Sequence, residues 1–138
     1  MLLIQKIHSV RQTMIKHLMY IELKTGYNDD GPAWIGYVKT SKTGKTIYFN
    51  DHAFQKYNGE GNYVDVESGE GYWISGVKKR ESNRHWAGHG KIAIDRRAVE
   101  EVLALKGMEQ LPSSYEVVDI VDNFPVERVK DLLNQSEC

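Results

Sequence analysis

The sequence has little of several features that would assign it to a known class of proteins. Its one cysteine, Cys138, stands at the last position, so it forms no internal disulfide and a reducing, cytoplasmic setting fits. The formal net charge is -1, which gives the chain as a whole no attraction to nucleic acid or to anionic membranes. It has no internal repeat, no low-complexity tract and no long unbroken apolar run. These absences exclude a disulfide scaffold, a repeat protein and a membrane-spanning helix.

The 138 residues are sufficient for one domain with a single core. The composition, 41% hydrophobic and 27% charged, is that of a soluble globular protein. We divide the chain into an amphipathic helical extension at residues 1–18, a β-rich module with a closing helix at residues 19–107, and a C-terminal strand-helix extension of the same domain at residues 108–138.

The first segment, residues 1–18, has the spacing of an amphipathic helix. Its apolar positions three or four residues apart are Leu3, Ile7, Val10, Met14 and Leu18. Two interpretations remain open: the helix packs on the domain or on a second copy of it, or the segment is an upstream extension before a start at Met19. Binding to a membrane surface is disfavoured, because the opposite face carries few lysines and arginines.

From Met19 onward the pattern changes to the two-residue alternation of half-buried strands. It predicts strands beginning at Met19 and over residues 33–40, 45–50, 62–67, 71–77 and 91–94, with a hairpin turn at residues 41–44 and another at 68–70. Short strands at close intervals, followed by helices, predict an α+β fold. We expect a small bent antiparallel sheet or partial barrel, SH3-like or OB-like, with an N-terminal helix and C-terminal helices.

Two helices are predicted after these strands. Asp95 is a suitable N-cap for a helix over residues 96–106, and Gly107 stands where a left-handed C-cap is expected. After a predicted strand at residues 115–121, Pro125 is placed to open a final helix over residues 125–134, because its fixed φ suits a first helical turn.

Residues 71–91 combine basic and aromatic side chains more densely than any other segment. The candidate nucleic-acid-binding residues are Lys78, Lys79, Arg80, Arg84, His85, Trp86 and Lys91. Cations of this kind contact phosphates while an aromatic ring stacks on a base, which predicts binding of RNA or single-stranded DNA. The alternative is a solvated hairpin tip with Trp86 turned into the core and Glu81 offsetting part of the charge.

Histidines offer a weaker alternative, a metal-dependent enzyme. His85 and His89 are four residues apart, and His52 is a conceivable third ligand. Glycines beside the pair argue against a helix that would align the two rings, and no complete metal or catalytic motif is present. The default expectation is no metal, no cofactor and no catalytic residue.

The triplet at residues 44–46, Gly-Lys-Thr, invites comparison with a phosphate-binding loop. That motif also needs a glycine five positions before Gly44, where Lys39 stands, and a helix afterwards, where a strand is predicted. We therefore interpret the triplet as part of a hairpin turn.

Two runs, GPAWIGYVKTSKTGKTIYFNDHAFQ and YVDVESGEGYWISGVKKRESNRHWAGHGKIAID, resemble a family of short, functionally uncharacterised bacterial proteins. The resemblance covers residues 19 to about 107. Some members of that family bear the name 1-deoxy-D-xylulose-5-phosphate synthase. The residues oppose that activity, because a thiamine-diphosphate enzyme needs a Gly-Asp-Gly motif leading to an asparagine, and large α/β domains.

The sequence thus predicts a cytoplasmic binding module that is not an enzyme. The first hypothesis is contact with RNA or single-stranded DNA through the basic-aromatic hairpin. The second is self-association or docking of a protein partner through a terminal helix. The third is a small metal-dependent enzyme that uses His52, His85 and His89.

Overall fold

The computed structural model describes residues 16–24, 31–59, 61–84 and 90–133. Its strands are β1 (Lys16–Leu23), β2 (Ala33–Thr40), β3 (Thr46–Phe49), β4 (His52–Gly59), β5 (Gly61–Asp65), β6 (Gly71–Gly76), β7 (Ile92–Asp95) and β8 (Tyr115–Val118). Its helix is α1 (Val99–Lys106), and 3-10 turns lie at Arg96–Ala98 and Lys130–Leu132.

Strands β1 to β6 form a closed barrel in which all neighbours are antiparallel. Each strand pairs with the next one in the sequence, and β1 pairs with both β2 and β6. Ile21 lies opposite Trp34 on one side and Ile74 on the other. The predicted α+β fold with a partial SH3-like or OB-like barrel is therefore wrong. The six-stranded ring is closed, and closure removes the exposed edges that a partial barrel would leave.

One face of each barrel strand fills the interior. The buried interior cluster comprises Ile21, Val38, Ile47, Phe49, Phe54, Tyr72 and Ile74. Gly36 is required by this packing, because a Cβ there would come within 2.8 Å of the Phe49 ring. The interior is therefore a packed core, and any binding surface lies on the outside of the barrel.

Beyond the barrel the sheet continues through β7 and β8, and α1 packs on its outer side. β7 runs parallel to the first half of β2, from Ala33 to Ile35, while β3 pairs with β2 only at Lys39 and Thr40. β8 runs parallel to β7 and ends the sheet. The outer core, where the helical segment packs on β1, β2 and β7, comprises Tyr20, Ala33, Ile35, Ile92, Ile94, Ala98 and Val102.

Both predicted caps of the helix after β7 are confirmed. The Asp95 side chain accepts a hydrogen bond of 3.0 Å from the backbone N–H of Arg97, and Gly107 adopts a left-handed φ of 65°. The first turn is a 3-10 turn, so the α-helix itself begins at Val99.

The predicted N-terminal and C-terminal helices are not found in the described residues. Within the predicted helix at residues 1–18, Lys16 to Leu18 belong to β1, and residues 1–15 lie outside the described part of the chain. The predicted C-terminal helix at residues 125–134 is wrong. Up to residue 133 this segment forms turns and a 3-10 turn, because buried Val129 packs on Tyr48 and Ala53 and these tertiary contacts outweigh the helix-start signal of Pro125.

Candidate functional site

The exposed loop after β6, here called the basic loop, consists of Lys78, Lys79, Arg80 and Glu81. Asn83 attaches its start to the barrel. The backbone N–H of Lys78 donates to Asn83 Oδ1 at 3.0 Å, and Asn83 Nδ2 donates to the Gly76 carbonyl at 2.7 Å and to the Ser75 hydroxyl at 3.0 Å. The loop is therefore anchored to β6 by one side chain that satisfies backbone groups, as in other asparagine-stabilised turns.

Lys106, the last residue of α1, holds the loop from the other side. Its Nζ donates to the carbonyl oxygens of Lys78 at 2.7 Å and of Glu81 at 2.9 Å. Burial lowers the pKa of Lys106, yet the ammonium group remains the natural donor to two carbonyls. Two independent attachments thus fix the course of the basic loop.

The cations of the loop differ in how far they are neutralised. Lys78 Nζ lies 3.8 Å from Glu81 Oε2, and both side chains are more than half exposed, so this pair contributes little. Lys79 and Arg80 are exposed, and neither pairs with an acid among the residues that the structure describes. Lys91 is also exposed, immediately before β7.

A pocket of about 290 Å³ lies between the basic loop and the chain that leads from α1 to β8. It is lined by Lys79, Arg80, Glu81, Ser82, Lys106, Met108, Pro112, Ser114 and Tyr115. Tyr115 is half-buried and packs against the outer core, so it forms a fixed wall. The sequence gives no indication that Met108, Pro112 and Tyr115 join this loop, because they are distant from segment 71–91 in the chain.

Arg84 does not join the exposed cations. Its side chain is buried, at 7% exposure, and Nη2 donates to the carbonyl of Gly31 at 2.8 Å. The expectation of a solvent-facing cation at this position is corrected, because the guanidinium is buried and donates to the backbone just before β2.

A second buried charged group belongs to β1. The carboxylate of Glu22, 1% exposed, accepts hydrogen bonds from the Tyr20 hydroxyl and from Lys24 Nζ, the latter at 3.0 Å. Burial, and then the bond to Glu22, raise the pKa of Tyr20 strongly. The alternating pattern of β1 places Glu22 on a polar face and gives no sign of this burial. Because the carboxylate is inaccessible and paired, we assign it a structural role.

His52, the one candidate metal ligand within the described residues, is held by Asp65. His52 Nδ1 lies 3.0 Å from Asp65 Oδ2, while Asp65 Oδ1 accepts from the backbone N–H groups of Glu67 at 2.9 Å and Ser68 at 3.3 Å. The bond to Asp65 raises the pKa of His52. Burial acts to raise the pKa of Asp65, but the three hydrogen bonds together lower it. This arrangement fixes the β5–β6 turn.

Beside this pair lies the Arg128 cluster, made of Arg128, Asp51 and Glu67. The guanidinium donates to Asp51 Oδ1 at 2.8 Å and to both oxygens of Glu67 at 2.8 and 3.0 Å. Hydrogen bonds to Glu67 and Asp51 raise the pKa of Arg128. The guanidinium is paired with both carboxylates, so the cluster joins the C-terminal segment to the barrel.

The remaining predicted site residues, His85, Trp86 and His89, lie outside the described residues. Their role as nucleic-acid or metal contacts stays a prediction. Within the described ranges there is no group of three histidine, cysteine, aspartate or glutamate side chains placed to hold a metal ion. The metal-dependent alternative therefore gains no support from the part of the chain that is described.

Comparisons of the chain with protein-family models, with curated proteins and with solved structures find no match. They lend no support to the resemblance to a bacterial family. In the described part of the chain, no helix combines the length and the apolar character needed to cross a bilayer. Within the described residues, the basic loop with its pocket is the best candidate site.

Proposed function

We propose that this protein binds single-stranded nucleic acid, RNA or DNA, through the basic loop. The observation that carries the proposal is the exposure of Lys79 and Arg80, which have no acidic partner in the described residues, on a loop fixed by Lys106 and Asn83. Cations placed in this way release counterions when they meet phosphates. A fixed loop also loses less conformational entropy on binding than a mobile one.

The shape of the molecule supports a single strand over a duplex. The barrel interior is filled, and the loop stands beside a small pocket with an aromatic wall at Tyr115. Small β folds hold single strands by combining a basic surface with rings that contact bases. The short α1 packs on the barrel through buried Val102, so it offers no free helix for a major groove.

The test is the double variant Lys79→Glu, Arg80→Glu, with binding of an oligothymidine measured by fluorescence anisotropy at several salt concentrations. Each lost phosphate contact lowers the slope of log K against log salt by about 0.7 for a single strand, so the slope is expected to fall by about 1.4. Both side chains lie outside the core, so folding, checked by circular dichroism, is expected to be unchanged.

The matched control is Lys42→Glu, Lys45→Glu, at two exposed lysines on the turn between β2 and β3. This variant has the same change in net charge and is expected to keep the parental slope. If both variants weakened oligothymidine binding equally, only the net charge of the protein would matter for binding. Parental binding that is absent or insensitive to salt would overturn the proposal.

A further inference from the structure

The pocket beside the basic loop has two chemically different sides. Lys79 and Arg80 stand on one side, whereas Met108, Pro112 and Tyr115 offer apolar surface on the other. A site that joins cations to an apolar wall suits a ligand with an anionic part and a flat apolar part. A nucleotide unit of a single strand has both parts.

The size of the pocket limits what enters it. Pockets that bury a drug-sized ligand usually span about 300–1,000 Å³, and this one measures about 290 Å³. The volume is sufficient for one ring-bearing unit. A strand that crosses the loop would place a single base here.

Lys106 adds a polar group to the same pocket. An ammonium has three N–H donors, and the carbonyls of Lys78 and Glu81 take two of them. Within the described residues the third has no acceptor, and Lys106 lines the pocket. A carbonyl oxygen on the edge of a base is a suitable acceptor for it.

We infer that the pocket receives one base of the bound strand, against Tyr115 and within reach of Lys106, while the adjoining phosphates contact Lys79 and Arg80. This inference rests on the proposed function. It assigns base recognition to the end of α1, the start of β8 and the chain between them, which the sequence does not mark. A base with a ring carbonyl, such as thymine or uracil, matches the donor at Lys106.

The experiment compares Ser114→Leu with Ser113→Leu. Ser114 lines the pocket and its backbone carbonyl accepts from Ile92, so a larger side chain narrows the pocket and leaves that bond intact. Ser113 is its exposed neighbour and does not line the pocket. Leucine adds bulk without adding a ring on which a base stacks.

Two probes are used, oligothymidine and an abasic oligomer with the same sugar-phosphate backbone. Ser114→Leu is expected to weaken oligothymidine binding about tenfold, the loss expected for one stacked base, and to leave abasic binding unchanged. Ser113→Leu is expected to change neither. Tyr115→Leu, whose folding is checked by its urea midpoint, is expected to repeat the pattern of Ser114→Leu.

The outcomes separate the two proposals. If the parent binds oligothymidine but Ser114→Leu has no effect, or weakens both probes equally, the base pocket is wrong and the loop proposal stands. If the parent binds neither probe, both are wrong. If Ser114→Leu binds oligothymidine more weakly than the parent and binds the abasic oligomer equally well, the base pocket is supported.

Discussion

The Arg128 cluster and the basic loop are both rich in charge, but they use their cations differently. The Arg128 guanidinium is engaged by Asp51 and Glu67, whereas Lys79 and Arg80 have no such partners in the described residues. The contacts that fix the basic loop come from Asn83 and Lys106 instead. Pairing, more than the density of charge, therefore distinguishes a cation that holds the fold from one that is available to a ligand.

The two regions also differ in the contacts that attach them to the barrel. Near the Arg128 cluster, Asp65 is 3% exposed and accepts hydrogen bonds from His52, Glu67 and Ser68. The basic loop is fixed mainly through its backbone. Substitutions near Arg128 are therefore expected to lower stability, and substitutions in the loop to lower affinity.

The largest stability effect is expected for Asp65→Ala. This change leaves the backbone N–H groups of Glu67 and Ser68 without their acceptor and His52 without its partner, at a cost of about 2–4 kcal/mol. Urea unfolding at neutral pH measures it. Asp131→Ala, at an exposed aspartate, is the matched control and is expected to stay within about 0.5 kcal/mol of the parent. A similar loss of unfolding free energy in both variants would contradict the anchoring role of Asp65.

A smaller effect is expected from the ionisation of His52. Its pKa in the folded protein is raised above the ordinary value of 6.5, first by the bond to Asp65. The stabilisation is therefore fully present below about pH 6.5 and is lost as the pH rises through the raised folded value. It amounts to at most about 1 kcal/mol, since the His52 side chain is 45% exposed and solvent screens the pair.

The measurement is the difference in unfolding free energy between the parent and His52→Gln, followed from pH 5 to pH 9. The difference is expected to be largest at the acid end and to shrink toward the alkaline end. His17→Gln, at an exposed histidine of β1, controls for the loss of an imidazole. A difference that grows with pH would reverse the assigned sign.

Much of the fold was predictable where local signals agreed with tertiary structure. β2 matches its predicted range because alternation is strong between Pro32 and the turn at residues 41–44, where Gly44 has a φ of 76°. β4 was missed, since its sequence HAFQKYNG has few apolar residues and its strand form depends on pairing with β3 and β5. Barrel closure depends on contacts between β1 and β6, which no local pattern reports.

The site was predictable only in part. Clustered basic residues marked the loop, and Lys79 and Arg80 are exposed as expected. Arg84 is also an arginine of this segment, yet it is buried and donates to the carbonyl of Gly31, a contact between distant parts of the chain. The pocket wall at Tyr115 belongs to a different part of the chain, so only the folded structure brings it to the loop.

The smallest stability change is expected when one arginine in each region is replaced by methionine. This pair of variants compares the two regions directly. Arg128→Met removes the contacts to Asp51 and Glu67 and is expected to lower the urea midpoint slightly, an effect that high salt reduces because the pairs are exposed. Arg80→Met is expected to leave the midpoint unchanged and to weaken oligothymidine binding, whereas Arg128→Met is expected to leave that binding unchanged. If Arg80→Met lowered the midpoint as much as Arg128→Met does, the loop cation would belong to the pairing that holds the fold, and the distinction between the two regions would fail.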